Sequence, residues 1–206
     1  MKIHEMTIGP ISNNCYILED EATKQALVID APAPASSIIE KADSLALKIT
    51  DIILTHGHFD HILALPELKE KTGARISVFE KTTDFLKDSS LNLCTNFGTR
   101  IPYVAPDVIL SDGDTIDFCG NKITVLHTPG HTDDSICLLC ENLLFSGDTL
   151  FSRGIGRYDF KTGNLKLLLN SIYEKLYILP SSTIVYPGHG PSTTIGEEKR
   201  ENPYTV

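Results

Sequence analysis

Tryptophan is absent from this 206-residue chain, and methionine occurs only twice. Long apolar runs are also missing: no stretch approaches the roughly 20 residues needed to cross a bilayer. The opening Met1-Lys2-Ile3-His4-Glu5 lacks the basic region and apolar core of a secretory signal. A cytoplasmic protein with no membrane partner is therefore expected. Positive charge is scarce, with 18 Lys and Arg against 27 Asp and Glu and a formal net charge of −9. Tight nucleic-acid binding needs cations that neutralise phosphates, so nucleic acid is not an expected partner either. Nothing in the sequence fixes an oligomeric state.

Cysteine is sparse and odd in number: Cys15, Cys94, Cys119, Cys137 and Cys140. An odd count in a chain without an export signal argues against a disulfide framework. Cys137 and Cys140 have the C-x-x-C spacing, but they fall in the strand-like Ser135–Leu139 run and its continuation. Residues three apart on a strand face opposite sides, so the pair reads as core thiols and not as a shared metal or disulfide site.

The length suits one sizeable core, and a single domain over 1–206 is expected. Strands are expected at Lys2–Ile8, Cys15–Glu19, Ala26–Ile29, Ile52–Leu54, Arg75–Phe79, Val108–Leu110, Thr115–Phe118, Lys122–Leu126, Ser135–Leu139, Leu143–Ser146 and Thr183–Tyr186. Asn13-Asn14 and Asp20–Lys24 supply turn chemistry. A helix follows Pro34, with Ile38, Ile39, Ala42 and Leu45 on one face, and another begins around Pro66 and stops near Gly73. The helix Asn164–Leu179 aligns Leu165, Leu168, Leu169, Ile172 and Leu176. Residues 80–105 read as one or two helices and a loop. Two strand groups, each with its own helices, suggest packed sheets with helices on the outer faces.

Histidine is where the sequence is rich. Residues 55–61 read Thr-His-Gly-His-Phe-Asp-His, directly after an apolar strand. His131 lies in Thr128-Pro129-Gly130-His131-Thr132, His189 in Tyr186-Pro187-Gly188-His189-Gly190, and Asp148 in Phe145-Ser146-Gly147-Asp148-Thr149. Each segment follows a strand, where a rigid sheet presents site residues on loops. His56 and His58 are two apart and project to one side of an extended backbone. Asp60 and His61 lie beyond Gly57 and Phe59, where the chain turns, and face a second point. Imidazole with carboxylate suits zinc, and also iron or manganese. Seven ligands exceed one tetrahedral ion. They divide into His56, His58 and His131 for one cation and Asp60, His61 and His189 for a second, with Asp148 bridging. Three protein ligands per ion leave room for water, a mark of catalytic metal, and the absence of cysteine argues against a structural centre.

Among the remaining candidates, Arg153 and Arg157 could hold a substrate carboxylate, since a guanidinium matches that group bidentately. They serve equally well as surface charges or as an internal pair with Asp159. His127 is read as a supporting residue and not a ligand, and His4 is given no role. Thr55 and Thr132 are candidate hydrogen-bond partners of the ligating groups.

Thr-His-Gly-His-Phe-Asp-His, Thr-Pro-Gly-His-Thr, Ser-Gly-Asp-Thr-Leu-Phe and Pro-Gly-His-Gly, in that order, resemble the metal-binding motifs of the metallo-β-lactamase fold. The resemblance implies an α/β fold, an αββα four-layer sandwich, with a dinuclear site at one edge of the sheets. Thr149-Leu150-Phe151, Gly154-Ile155-Gly156-Arg157-Tyr158-Asp159-Phe160 and Glu201-Asn202-Pro203-Tyr204 are most similar to small glyoxalase II-like hydrolases. Full-length glyoxalase II enzymes carry a helical C-terminal domain that helps hold glutathione; the stretch after His189 is too short for it. The implied activity is hydrolysis of a small-molecule thioester of the hydroxyacyl-glutathione type, with two divalent ions as cofactors and Asp60 and Asp148 positioning the attacking hydroxide. A thiolate leaves without prior protonation, which favours a thioester over an amide. The Gly-x-Gly-Arg-x-Asp-Phe segment also resembles persulfide dioxygenases, which implies a mononuclear iron alternative. A metal-stabilised binding module without catalysis is a third reading.

Overall fold

The computed structural model describes residues 1–205, which divide into two compact units. The first comprises Met1–Leu110 with Phe118–Asn121, and the second Ser111–Asp117 with the chain from Lys122 onward. Among the described residues no helix is long and apolar enough to cross a membrane.

The first unit is built on a six-stranded sheet whose strands lie side by side in chain order. Strands β1 (Lys2–Ile8), β2 (Asn13–Glu19) and β3 (Gln25–Ile29) form an antiparallel meander. From β3 onward, β4 (Lys48–Ile53), β5 (Arg75–Phe79) and β6 (Val108–Leu110) add in parallel. Parallel neighbours require crossovers, and helices supply them. These are α1 (Ala35–Ser44), α2 (Phe59–Ile62), α3 (Leu65–Thr72) and α4 (Thr82–Lys87), followed by a 3₁₀ turn at Cys94–Phe97. Ile38 and Ala42 of α1 and Leu65 and Leu68 of α3 are buried with Ile17, Val28, Ile52 and Ile76 of the sheet in one apolar core. The boundaries of α3 follow local chemistry. Pro66 occupies its first turn, and Gly73 closes it in the left-handed conformation, its N–H returning to the Lys69 carbonyl.

One turn is displaced from where composition put it. Asn13 and Asn14 are buried in β2, and the reversal lies just before them. Asn14 accepts a hydrogen bond from the Thr7 hydroxyl at 3.0 Å, so its polar group is paired across the strands instead of with its own backbone.

The second sheet has the order β14-β13-β10-β9-β8-β7, with β7 Thr115–Phe118, β8 Asn121–His127, β9 Ile136–Cys140, β10 Leu143–Gly147, β13 Ile184–Pro187 and β14 Thr193–Thr194. Between β10 and β13 come the short hairpin of β11 (Leu150–Phe151) and β12 (Gly154–Ile155) and a helix. This helix, α5 (Leu165–Ser171), continues through a π-helical turn at Ile172–Leu176. The Asn164 side chain caps it by accepting the Leu167 N–H. Leu168, Ile172 and Leu176 are fully buried, as the periodicity predicts, but Leu165 is 38% exposed and Leu169 only partly buried. At about 100° per residue Leu169 lies just past the edge of the arc the other three make, while Leu165 lies within it but is the first residue of the helix.

Cys137 and Cys140 are buried and free, matching their reading as core thiols. Burial pushes the Cys137 thiol up to about 11, against weaker hydrogen bonding from Thr128. Downstream of β14, α6 (Ile195–Glu201) ends the chain's regular structure. The sequence reading placed no helix here; the Thr194 side chain caps it by accepting the Glu197 N–H.

Candidate metal centre

Each unit carries part of the candidate ligand set at the carboxyl ends of parallel strands. In the first unit β4 leads through Leu54 and Thr55 to His56, Gly57 and His58. His58 is the extended residue before α2, which then presents Asp60 and His61. All four ligand residues are buried, with His61 fully inaccessible. Burying that many ionisable groups is costly unless each is bonded.

The bonds that hold them are specific. Asp30 follows β3, the parallel neighbour of β4, in a left-handed conformation with φ 60°. Its Oδ1 accepts the Thr55 N–H at 2.7 Å, and its Oδ2 accepts the Thr55 hydroxyl at 2.8 Å. The same Oδ2 lies 2.8 Å from His61 Nδ1. Thr55 Oγ1 is in turn 3.2 Å from His56 Nδ1. One carboxylate therefore fixes two imidazoles through their Nδ1 atoms, which makes Nε2 the ligand atom of each. Asn13 Nδ2 donates to Asp60 Oδ2 at 2.5 Å. Asp30 and Asn13 are the two supporting residues that motif spacing did not reveal.

His56 Nε2 and His58 Nδ1 approach to 3.2 Å. Two nitrogens on one tetrahedral zinc, at ~2.0–2.1 Å each, would be separated by ~3.4 Å, so the pair has the spacing of a chelate edge. His61 Nε2 and Asp60 Oδ2 form a second such edge at 3.4 Å. His56 and His58 converge, as extended spacing predicts, and Asp60 and His61 leave from the helical turn after them.

In the second unit Asp148 follows β10 and His189 follows β13, its parallel neighbour. The Gly188 N–H donates to the Gly147 carbonyl at 2.8 Å, tying the two loops together. Asp148 Oδ2 lies 3.5 Å from His131 Nε2 and 3.7 Å from His189 Nε2. A single carboxylate oxygen thus faces two imidazoles that the sequence reading assigned to different ions. His131 Nδ1 donates to the Arg157 carbonyl at 2.7 Å, again leaving Nε2 as the ligand atom.

Glycine makes this packing possible. A Cβ on Gly156 would lie 1.8 Å from the Asp148 carbonyl oxygen and 3.0 Å from His131 Cβ. On Gly130, at φ 144°, it would meet the Leu168 backbone at 2.3 Å. The loops approach this closely only without side chains at those positions.

Beside these ligands the second unit holds a cavity of about 540 Å³ lined by Phe151, Ile155, Arg157, Tyr158, Asp159 and Tyr204. The Phe151 ring is 6.2 Å from that of His189. Arg157 places its guanidinium in an ion pair with Asp159 and 4.4 Å from the Phe160 ring centroid. Arg153 does not line this cavity; it pairs with Glu201, and its N–H donates to Glu198 Oε2 at 2.8 Å. Arg157 therefore makes the pair with Asp159 that was the alternative to substrate binding, while Arg153 pairs with Glu201, which the sequence reading did not name. His127 Nε2 contacts the Asp133 carbonyl at 3.0 Å, a supporting role as expected. Thr132 departs from expectation: its hydroxyl bonds Ser135 Oγ at 2.7 Å, the partner nearest along its own loop.

His56, His58, Asp60, His61, His131, Asp148 and His189 all carry atoms able to hold a metal ion. The donor chemistry fits divalent cations. The ligands are imidazole and carboxylate only, and His56, His61 and His131 are each turned by a hydrogen bond at Nδ1.

A family model of the metallo-beta-lactamase superfamily matches residues 8–189. The chain is 35% identical over 208 residues to a hydroxyacylglutathione hydrolase, GloC, of Haemophilus influenzae, covering 99% of this chain and 98% of that protein. Its structure resembles that of the BLEG-1 B3 metallo-beta-lactamase, with a TM-score of 0.94 at 35% identity and 100% of both chains covered. It also resembles TTHA1623 in a di-iron-bound form, with a TM-score of 0.87 at 31% identity and 98% and 99% of the two chains covered.

Proposed function

The chain belongs to the metallo-beta-lactamase superfamily, and from that premise we propose that it is a dinuclear-metal hydrolase cleaving thioesters of the hydroxyacyl-glutathione type. In this proposal His56, His58 and His131 would hold one cation, Asp60, His61 and His189 would hold the other, and Asp148 would serve both. The observation that carries the reading is the Asp148 carboxylate, one oxygen of which faces both His131 and His189. The likeness to GloC over almost the whole chain directs it toward thioesters. Zinc is the proposed metal. The di-iron form of TTHA1623 makes iron the alternative to test.

Bound divalent cations supply Lewis acidity, lowering the pKa of water from 15.7 toward about 7 and polarising a carbonyl. The protein's own groups do the rest. Asp60, held by Asn13, and Asp148 would orient the nucleophilic water by accepting hydrogen bonds from it, and one of these carboxylates would take the single proton it gives up on attack. Asp30 keeps His61 in a single tautomer through its Nδ1. The cavity walled by Phe151, Tyr158 and Tyr204 takes the apolar part of the substrate, with the Arg157–Asp159 pair at its edge. Attack forms the C–O bond and the C–S bond breaks. The departing thiolate, whose parent thiol has a pKa near 8.5, needs no general acid.

The test is metal content measured together with a substrate panel. The reading predicts about two ions per chain and thiol release from S-lactoylglutathione. A folded, metal-loaded protein that releases no thiol from any acyl thioester overturns it. Two other outcomes redirect it: turnover confined to a β-lactam, the reaction implied by the likeness to BLEG-1, or oxygen consumption with glutathione persulfide by protein holding one iron, the reaction of a persulfide dioxygenase.

A further inference from the structure

The first unit contains a second cavity, of about 430 Å³, between the end of α4 and the stretch 99–103. Its lining includes two cations, Lys87 and Arg100, and two hydroxyls, Ser89 and Thr99, but no Asp or Glu. That is an unusual composition in a chain with a formal charge of −9. Elsewhere in the same unit Lys24 pairs with Glu19, Lys69 with Asp107, Lys71 with Glu67 and Arg75 with Asp51. Among the described residues Lys87 and Arg100 make no such pair; Lys87 Nζ instead stands 5.7 Å from the centroid of the Tyr103 ring. The inner wall is apolar, formed by Leu86, Ile101 and the fully buried Cys94. Burial pushes the Cys94 thiol up, against a hydrogen bond with the Ile101 backbone, so the wall stays uncharged at neutral pH.

We infer that this cavity is a binding site for a small organic phosphate, its phosphate held by Arg100 and Lys87 and its carbon skeleton resting on Leu86, Ile101 and the Tyr103 ring. A guanidinium presents paired N–H groups that match phosphate oxygens, and an ammonium adds a point charge. The hydroxyls of Ser89 and Thr99 supply neutral donors beside them. The apolar wall favours an ester of phosphate over the bare ion, because it gains by covering carbon.

The site is joined to the ligand-bearing helix. Asn92 lines the cavity, and its carbonyl accepts the Phe59 N–H at 2.8 Å, between His58 and Asp60 in sequence. Its side chain bridges the Phe85 carbonyl at 2.8 Å and the Cys94 N–H at 3.0 Å, which keeps the segment 85–94 in register. An occupant pressing on Asn92 therefore acts one hydrogen bond away from α2.

The experiment uses the zinc-loaded full chain, phenyl phosphate as probe, and amide NMR shifts as readout. The amides of Ser89, Thr99 and Arg100 should shift saturably, with a smaller shift at Phe59. Affinity should fall at least tenfold in the double variant Lys87→Ala/Arg100→Ala, and inorganic phosphate should bind more weakly at the same amides. If the double variant fails to fold, the single variants Lys87→Gln and Arg100→Gln read the same peaks. Shifts confined to His56–His61 and Gly130–Thr132, meaning anion uptake at the metal centre alone, overturn the inference. So do unchanged affinity in the variants and equal binding of phenol.

Discussion

Asp30 Oδ2 and His61 Nδ1 are 2.8 Å apart, and both groups are buried. The carboxylate that orients this imidazole also holds the Thr55 N–H and hydroxyl. It therefore aligns the segment leading to His56 and the helix carrying His61 at once. Asp30→Asn keeps the shape but removes the charge, and one of its two acceptor atoms becomes a donor. Metal affinity should drop about 10- to 100-fold, the usual cost of losing such a partner. Chelator competition on the folded variant measures it; unchanged affinity would remove Asp30 from the site.

Asp148→Asn should abolish most turnover on S-lactoylglutathione, about 100-fold or more, while the far-ultraviolet spectrum stays that of the parent. The charge that faces both His131 and His189 is lost, while the volume is kept. Full turnover in the variant would exclude Asp148 from the mechanism.

Gly156→Ala should destabilise the protein by about 1–3 kcal/mol, the usual cost of forcing atoms into a packed interior. The added methyl would meet the Asp148 carbonyl at 1.8 Å, so the loop must shift and metal retention should fall as well. Gly154→Ala is the control: there the nearest atom is Phe151 Cβ at 3.6 Å, an ordinary contact. Denaturant unfolding of the two variants side by side separates close approach from generic glycine loss.

Glu19 gives a pH signature in the first unit. Hydrogen bonds from Lys24, then from His4, hold its carboxyl down to about 2 from an ordinary 4.5. A depressed folded pKa means the contribution is complete above about 4.5 and is lost as pH falls toward 2. The stability gap between the parent and Glu19→Gln should therefore be full at pH 5 and shrink as the pH is lowered from there toward 2. Thermal melting of the metal-free proteins reads it, and a gap that widens on acidification would contradict the assignment.

The sequence was most legible where one residue type carries one meaning. Pro66 and Gly73 bracket α3 because each permits only certain backbone geometry. The ligand histidines announced themselves by recurring after strands. What stayed hidden depends on partners distant in sequence. Asp30 looked like any acidic residue at a strand end until the β3–β4 pairing set it beside Thr55. Asn13 looked like turn chemistry until β2 carried it to Asp60. The β11–β12 hairpin and β14 have two residues per strand, too few for a period to register.

The end of the chain has a practical consequence. Asn202 is fully buried, and its amide holds the Gly154 carbonyl at 3.0 Å and Glu198 Oε2 at 2.8 Å. Tyr204, just beyond it, is a wall of the larger cavity. Asn202 thus anchors a cavity wall it does not itself form, so a substitution there would be felt by whatever enters the cavity without touching it.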